Sequence, residues 1–196
     1  MNKNLITAIT RLKLSIHTNP GHQRSDLVSA NLPKAAVGVI LAPDLHEQEL
    51  TALFVKRKKS ATDPWSGHMA FPGGRLKDGE DLFQTVRREV LEETSIDIQT
   101  HEFFGKLDEQ PTGNKSVMVS PFVFFASAQI NAIIETRELE DYVWIPISFF
   151  SDQANIQKMR VEMLGMHHDV LSFHYQNSYV VWGVTLRIID DLLCRI

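Results

Sequence analysis

The chain has a single cysteine, Cys194, among 196 residues. No internal disulfide can form, and the fold must hold without staples. A catalytic thiol is not expected at that position, and a reducing compartment is the default. No apolar run approaches the roughly eighteen residues of a membrane span. The opening Met1-Asn2-Lys3-Asn4-Leu5 lacks the long apolar core of a secretory leader. The expectation is a soluble, cytoplasmic protein with no membrane partner. Cations are not in excess either: 20 Lys and Arg face 24 Asp and Glu, for a formal charge of −4. The pI is near 6.0. Sequence-independent binding to nucleic acid needs clustered cations and is not expected. Internal repeats and low-complexity segments are missing. So is a zinc constellation, because His167-His168-Asp169 has no fourth ligand at useful spacing and reads as surface polarity.

What is present is 43% hydrophobic residues, enough for one sizeable globular domain. Leu5, Ile6, Ile9, Leu12 and Ile16 recur at helical spacing and predict an amphipathic N-terminal helix. A polar stretch from Asn19 to Pro33 follows, so residues 1–33 read as a helix and linker extension. Residues 34–196 read as the main domain. Ala35–Leu41 and Leu50–Val55 look like a hairpin of core strands, with Pro43-Asp44 breaking the first. Met69–Pro72 reads as a short strand and Leu82–Thr94 as a helix. Further strands are expected at 103–107, 117–126, 131–134, 142–145 and around 170–175. Helices are expected from Pro146 to Phe150 and over 179–193. Strands mixed with a few helices suggest an α/β sandwich.

The most informative stretch runs from Gly74 to Ile96. It carries Gly74, Glu80 and then Arg88-Glu89-Val90-Leu91-Glu92-Glu93-Thr94-Ser95-Ile96. On a helix, Glu89, Glu92 and Glu93 are separated by steps of three and four and share one face. Like charges this close repel, and a divalent cation reverses that sign. Carboxylate oxygens suit Mg²⁺ or Mn²⁺. Phe83, Val86, Val90 and Thr94 form a neighbouring face that can pack on a sheet. Gly73-Gly74 lets the backbone pass close to a ligand, and its carbonyls could complete a metal shell. Arg88 can hold a carboxylate or phosphate in a two-pronged bond, most economically to orient a neighbouring glutamate. Together these residues suggest hydrolysis of a diphosphate linkage, with cations neutralising its charge and activating water. The bland alternative is a solvated acidic helix after a turn.

This pattern resembles the signature of the Nudix hydrolases, which act on a nucleoside diphosphate linked to another moiety. The resemblance implies an α/β/α sandwich with a mixed β-sheet. It implies Glu89, Glu92, Glu93 and the Gly73 carbonyl as metal ligands, with Glu89 as base or water-orienting group positioned by Arg88. Glu80 would act through water or hydrogen bonds around the metal. Members often add an acid from a later loop, for which Glu138 is the candidate; a solvated loop carboxylate is the alternative. One departure stands out: Ser95 occupies a place usually held by glycine, where a left-handed cap would strain serine.

The segment before the box bears on substrate. Gly67, Phe71, Pro72, Gly73 and Gly74 resemble the coenzyme A pyrophosphatase subgroup, although its Leu-Leu-Thr-x-Arg start is replaced by Leu53-Phe54-Val55-Lys56-Arg57. The resemblance implies cleavage of coenzyme A or its derivatives to 3′,5′-ADP and 4′-phosphopantetheine. Lys56-Arg57-Lys58-Lys59 could favour the extra 3′-phosphate, with Arg57 and Lys58 as substrate contacts. Trp65 could stack on adenine or anchor its loop. His68 could meet phosphate or be structural, and Phe71 and Gly74 complete the candidate substrate set. Val181-Trp182-Gly183-Val184-Thr185-Leu186-Arg187 also looks like that subgroup's ending, and reads as a tail helix packed on the sheet. Two other functions stay open: hydrolysis of ADP-ribose or dinucleotides, and a non-catalytic nucleotide-binding module. A homodimer is also left open.

Overall fold

A computed structural model describes residues 1–22, 32–59, 67–113, 116–163 and 165–196. Its centre is the strand β1 (Lys34–Asp44), which pairs in parallel with β7 (Met118–Phe125) along most of its length. On its other edge β1 bonds antiparallel to β2 (Glu49–Arg57), but only at the hairpin end, from Leu41↔Ala52 to Asp44↔Glu49. Towards their other ends the two strands part. The segment between them supplies β3 (Met69–Ala70), which pairs with β2, and β4 (Gly73–Arg75), which pairs with β1. The Gly38 N–H donates to the Pro72 carbonyl at 2.8 Å and closes the fork. β5 (Glu102–Lys106) and β6 (Gln110–Pro111) pair with β7, and β8 (Leu139–Pro146) pairs with β2. The result is a mixed sheet.

The sheet is buried on both faces, which is why β1 reads as a nearly continuous apolar run. Ala35, Val39 and Leu41 face one core, shared with α1 (Lys3–Thr18) and α3 (Gly183–Leu193). Ala36 and Ile40 face the other, shared with Val86 and Val90 of α2 (Leu82–Thr94). This alternation makes the expected α/β/α sandwich. Leu5, Leu12 and Ile16 of α1 are buried in the same cluster as Ile188, Ile189 and Leu192 of α3.

Arg195 ties these ends together. Its side chain, 7% exposed, donates to Asp191 at 2.8 Å, to Asp108 at 3.3 Å and to the Asn19 carbonyl at 2.6 Å. Burial disfavours the Asp108 carboxylate, but the His22 backbone and ring and the Arg195 charge outweigh it and hold its pKa below the ordinary 3.8. Asp108 therefore ionises more readily in the folded chain. Its contribution to stability is complete above pH 3.8 and is lost as the pH falls through the lowered folded value. Urea unfolding should show this acid loss in the wild type and a shallower one in Asp108→Asn.

Several expected elements differ. β1 runs through Pro43 to Asp44, because the hairpin turn lies beyond them, at 45–48. Residues 131–134 form no strand. The Ile133 N–H donates to the Thr94 carbonyl, and Ala132 covers the core beside α2, so these apolar residues cap a layer instead of joining a ladder. The expected helix over 179–193 is β11 (Tyr179–Trp182) followed by α3, with the chain turning at Gly183, φ +66°. β9 (Ile156–Met163), unforeseen, pairs with β10 (Met166–Tyr175), which starts before the expected residue 170. β9, β10 and β11 form a second, three-stranded sheet. His167, His168 and Asp169 are exposed on it, as expected of surface polar residues.

Candidate active site

The carboxylate helix α2 starts with a capping box. Asp81 accepts from the Gln84 N–H, and Gln84 accepts from the Asp81 N–H, each at 2.8 Å. It ends at Ser95 in the left-handed conformation, φ 58° and ψ 18°. That is the strained serine cap expected from the sequence. Ser95→Gly should therefore raise stability by about 1 kcal/mol, measured by urea unfolding, without changing the site.

Helix α2 lies close on the sheet because Gly38 has no side chain. A Cβ there would sit 2.8 Å from a Val90 methyl. The same face delivers Glu93 to the fork, where it is 8% exposed and accepts from the Gly73 N–H at 2.8 Å. Burial pushes the Glu93 carboxyl up to about 8. The Gly73 N–H and Arg57 work against that shift, and the charges of Glu89 and Glu138 add to it. Glu89 lies against the Gly74 backbone, so closely that a Cβ on Gly74 would be 2.6 Å from both its carboxylate oxygens.

Arg88 is the local counter-charge. It holds Glu80 in a two-pronged bond, Nε to Oε1 at 2.6 Å and Nη2 to Oε2 at 2.9 Å. Its Nη1 donates to Glu89 at 2.6 Å and to Glu92 at 3.3 Å. The Glu80 bond lowers the Glu80 carboxyl to about 2, and the same bond raises the Arg88 pKa. Arg88 thus grips Glu80 more firmly than the neighbouring glutamate.

These groups border a cavity of about 810 Å³. Glu89, Glu92, Glu93, Gly73, Gly74, Arg57, His68 and Glu138 all line it, and Glu138 also approaches Arg57 at 3.9 Å. Phe71 borders it too, but is 3% exposed and stacks on Phe54 at 4.7 Å, so it is chiefly a core residue. Lys58 is not among the lining residues, and its amino group reaches the Thr136 carbonyl at 3.4 Å. Lys56 pairs with Glu140 at 2.8 Å. Arg57 alone of the basic cluster borders the cavity. Trp65 falls outside the described residues.

Some lining residues were not anticipated. Arg75 and Lys77 follow the glycine pair directly and bring cations to the same opening. Trp182, Gly183, Val184 and Thr185 form part of the wall, where the sequence favours a packing tail over a substrate contact. Their likeness to the subgroup's ending was the available signal.

The donors fit a hard divalent cation in kind: oxygen ligands, the carboxylates Glu89, Glu92 and Glu93 together on α2, and among them a buried one that a cation would favour in ionised form. Among the described residues no three acidic, histidine or cysteine groups converge in metal-binding geometry. Glu92, with a side chain 54% exposed, turns to Arg88 instead of towards Glu93, so convergence requires it to change rotamer. No helix among the described residues is long and apolar enough to cross a membrane.

The NUDIX domain model matches residues 32–174. An uncharacterised Schizosaccharomyces pombe protein is 37% identical over 105 residues, 49% of this chain and 32% of that protein. A Caenorhabditis elegans protein, a peroxisomal coenzyme A diphosphatase, is 24% identical over 77% of this chain and 63% of its own length. The chain therefore spans about a third of the first relative and under two thirds of the second. Among solved structures, a MutT/nudix family protein from Enterococcus faecalis has the same fold. It superposes with a TM-score of 0.56 at 16% identity, over 93% of this chain and 67% of that one.

Proposed function

Because this chain belongs to the NUDIX family, we propose that it is a Mg²⁺- or Mn²⁺-dependent pyrophosphohydrolase that cleaves coenzyme A or a derivative to 3′,5′-ADP and 4′-phosphopantetheine. The observation that carries this reading is the pair of carboxylates, Glu89 and Glu93, set against the backbone of Gly74 and Gly73 in the wall of one cavity. A divalent cation held by Glu89, Glu92 and Glu93 would supply charge neutralisation on the diphosphate. Arg57, Arg75 and Lys77 border the same space and would hold phosphate oxygens. Glu89, which accepts from Arg88 at 2.6 Å, would orient a water and accept its proton. Water adds to phosphorus, one anhydride P–O bond breaks, and each product leaves with a terminal phosphate. Glu138 is the candidate for a further acidic ligand.

The 24% identity to the coenzyme A diphosphatase supports the substrate. A second reading, ADP-ribose or a dinucleotide, is favoured by Lys58. Its turn towards Thr136 leaves Arg57 as the basic cluster's one contribution to the cavity, so the group suited to a 3′-phosphate is reduced. The test is a substrate panel of coenzyme A, ADP-ribose, NADH and nucleoside triphosphates, each with Mg²⁺ or Mn²⁺. The highest kcat/KM is expected for coenzyme A. Preference for ADP-ribose or NADH would replace the substrate and leave the chemistry standing. No turnover of any would favour a binding module.

A further inference from the structure

The cavity wall is of two chemical kinds. The carboxylates of α2 and the cations Arg57, Arg75 and Lys77 border the glycine pair. Much of the rest is hydrocarbon: Ala35 and Val119, paired across β1 and β7, with Val117, Met69, Trp182 and Val184, the Ala35 backbone also pairing with that of Arg75. The first turn of α3 is fixed there by Thr185, whose hydroxyl donates to the Met69 carbonyl at 3.3 Å. Trp182 is fixed as well. Its backbone pairs with Ser172 of β10, and its ring meets His68 edge-on, 5.0 Å between centroids at 81°.

We propose that Trp182, held on edge by His68, is a specificity-determining residue whose ring walls the seat of the uncharged, amide-bearing aliphatic arm of the substrate, pantetheine in coenzyme A. This rests on the coenzyme A reading above. A phosphate seated on Trp182 and Val184 would exchange its water for hydrocarbon. A flat base would want parallel aromatic faces, whereas the two rings here stand nearly perpendicular and cannot sandwich it. A flexible arm of methylenes and amides gains from hydrocarbon walls and leaves its diphosphate beside the glycine pair.

The test is titration calorimetry of the full chain with the two halves of the substrate separately, 4′-phosphopantetheine and 3′,5′-ADP. In Trp182→Ala the Kd for 4′-phosphopantetheine should weaken roughly ten-fold or more, and that for 3′,5′-ADP less than about two-fold. Trp182→Phe should restore most of the difference. Val184→Glu, which leaves β11 intact, should weaken the same half and gives an independent test if Trp182→Ala melts early. Equal weakening of both halves, selective loss of 3′,5′-ADP, or no change in either would overturn the proposal. A wild type that binds neither half and leaves coenzyme A intact overturns the substrate reading, and this inference with it. A wild type that cleaves coenzyme A while the variants fail to discriminate overturns this inference alone.

Discussion

Glu93→Gln is expected to lower turnover by on the order of a hundred-fold or more while leaving the melting temperature unchanged or higher. The side chain is 8% exposed and accepts from the Gly73 N–H. Glutamine keeps the volume and can offer its carbonyl oxygen to that N–H. It removes only the charge, and burial makes that charge unfavourable, as the rise of the Glu93 carboxyl to about 8 indicates. On the proposed reading a divalent cation would offset this cost in the wild-type chain. Adding Mn²⁺ should therefore raise the wild-type melting temperature more than that of the variant. Initial rates and melts with and without the ion check both halves. Undiminished turnover in Glu93→Gln would rule out the carboxylate-helix mechanism.

Adjacent glycines should fail in different ways. At Gly73 an added Cβ would lie 2.6 Å from the Val37 Cα and collide with the Ala36 carbonyl, in a backbone at φ +154° that side chains rarely adopt. Backbone cannot swing aside, so Gly73→Ala should lose stability by about 1–3 kcal/mol or more. At Gly74 the neighbour is the tip of a flexible side chain, the Glu89 carboxylate at 2.6 Å. That tip can move, so Gly74→Ala should fold nearly as well as the wild type. It should nonetheless turn over roughly a hundred-fold more slowly, because the displaced group is the one proposed to orient water. Urea unfolding beside steady-state rates separates the two. Equal loss of stability in both variants, or a normal rate in Gly74→Ala, would show that Glu89 need not occupy this position.

The parts of this molecule that could be read from its sequence are those whose signal is local. The helical spacing of its apolar and acidic faces places helix α2 at Leu82–Thr94, and the family resemblance, which has glycine where Ser95 stands, points to the left-handed cap. The sandwich follows from strands mixed with a few helices, and its α/β/α layering from the family resemblance. What could not be read depends on pairings between distant segments. Nothing in Met69–Arg75 says that it fills a fork between β1 and β2. Tyr179–Trp182 is too short for its period to separate strand from helix, so Trp182 was assigned to a packed tail. β9 and the start of β10 are mostly exposed, and strands without a buried face carry little alternation. Lys58 looked like part of a cationic site because charge is visible in sequence, while the direction of a side chain is not.

The fork also imposes an order on synthesis. The glycine pair and the carboxylate helix are made early, but β1, which anchors β4 and receives α2, completes its ladder only with β7, at Met118–Phe125. A nascent chain that has released α2 thus holds every residue of the box but only the β1–β4 part of the sheet. Its glutamates would sit on a helix that bears on an incomplete sheet. Such long-range parallel pairing is slow to form. Catalytic competence in this fold is therefore acquired late, when a strand far along the chain docks on one made near its start.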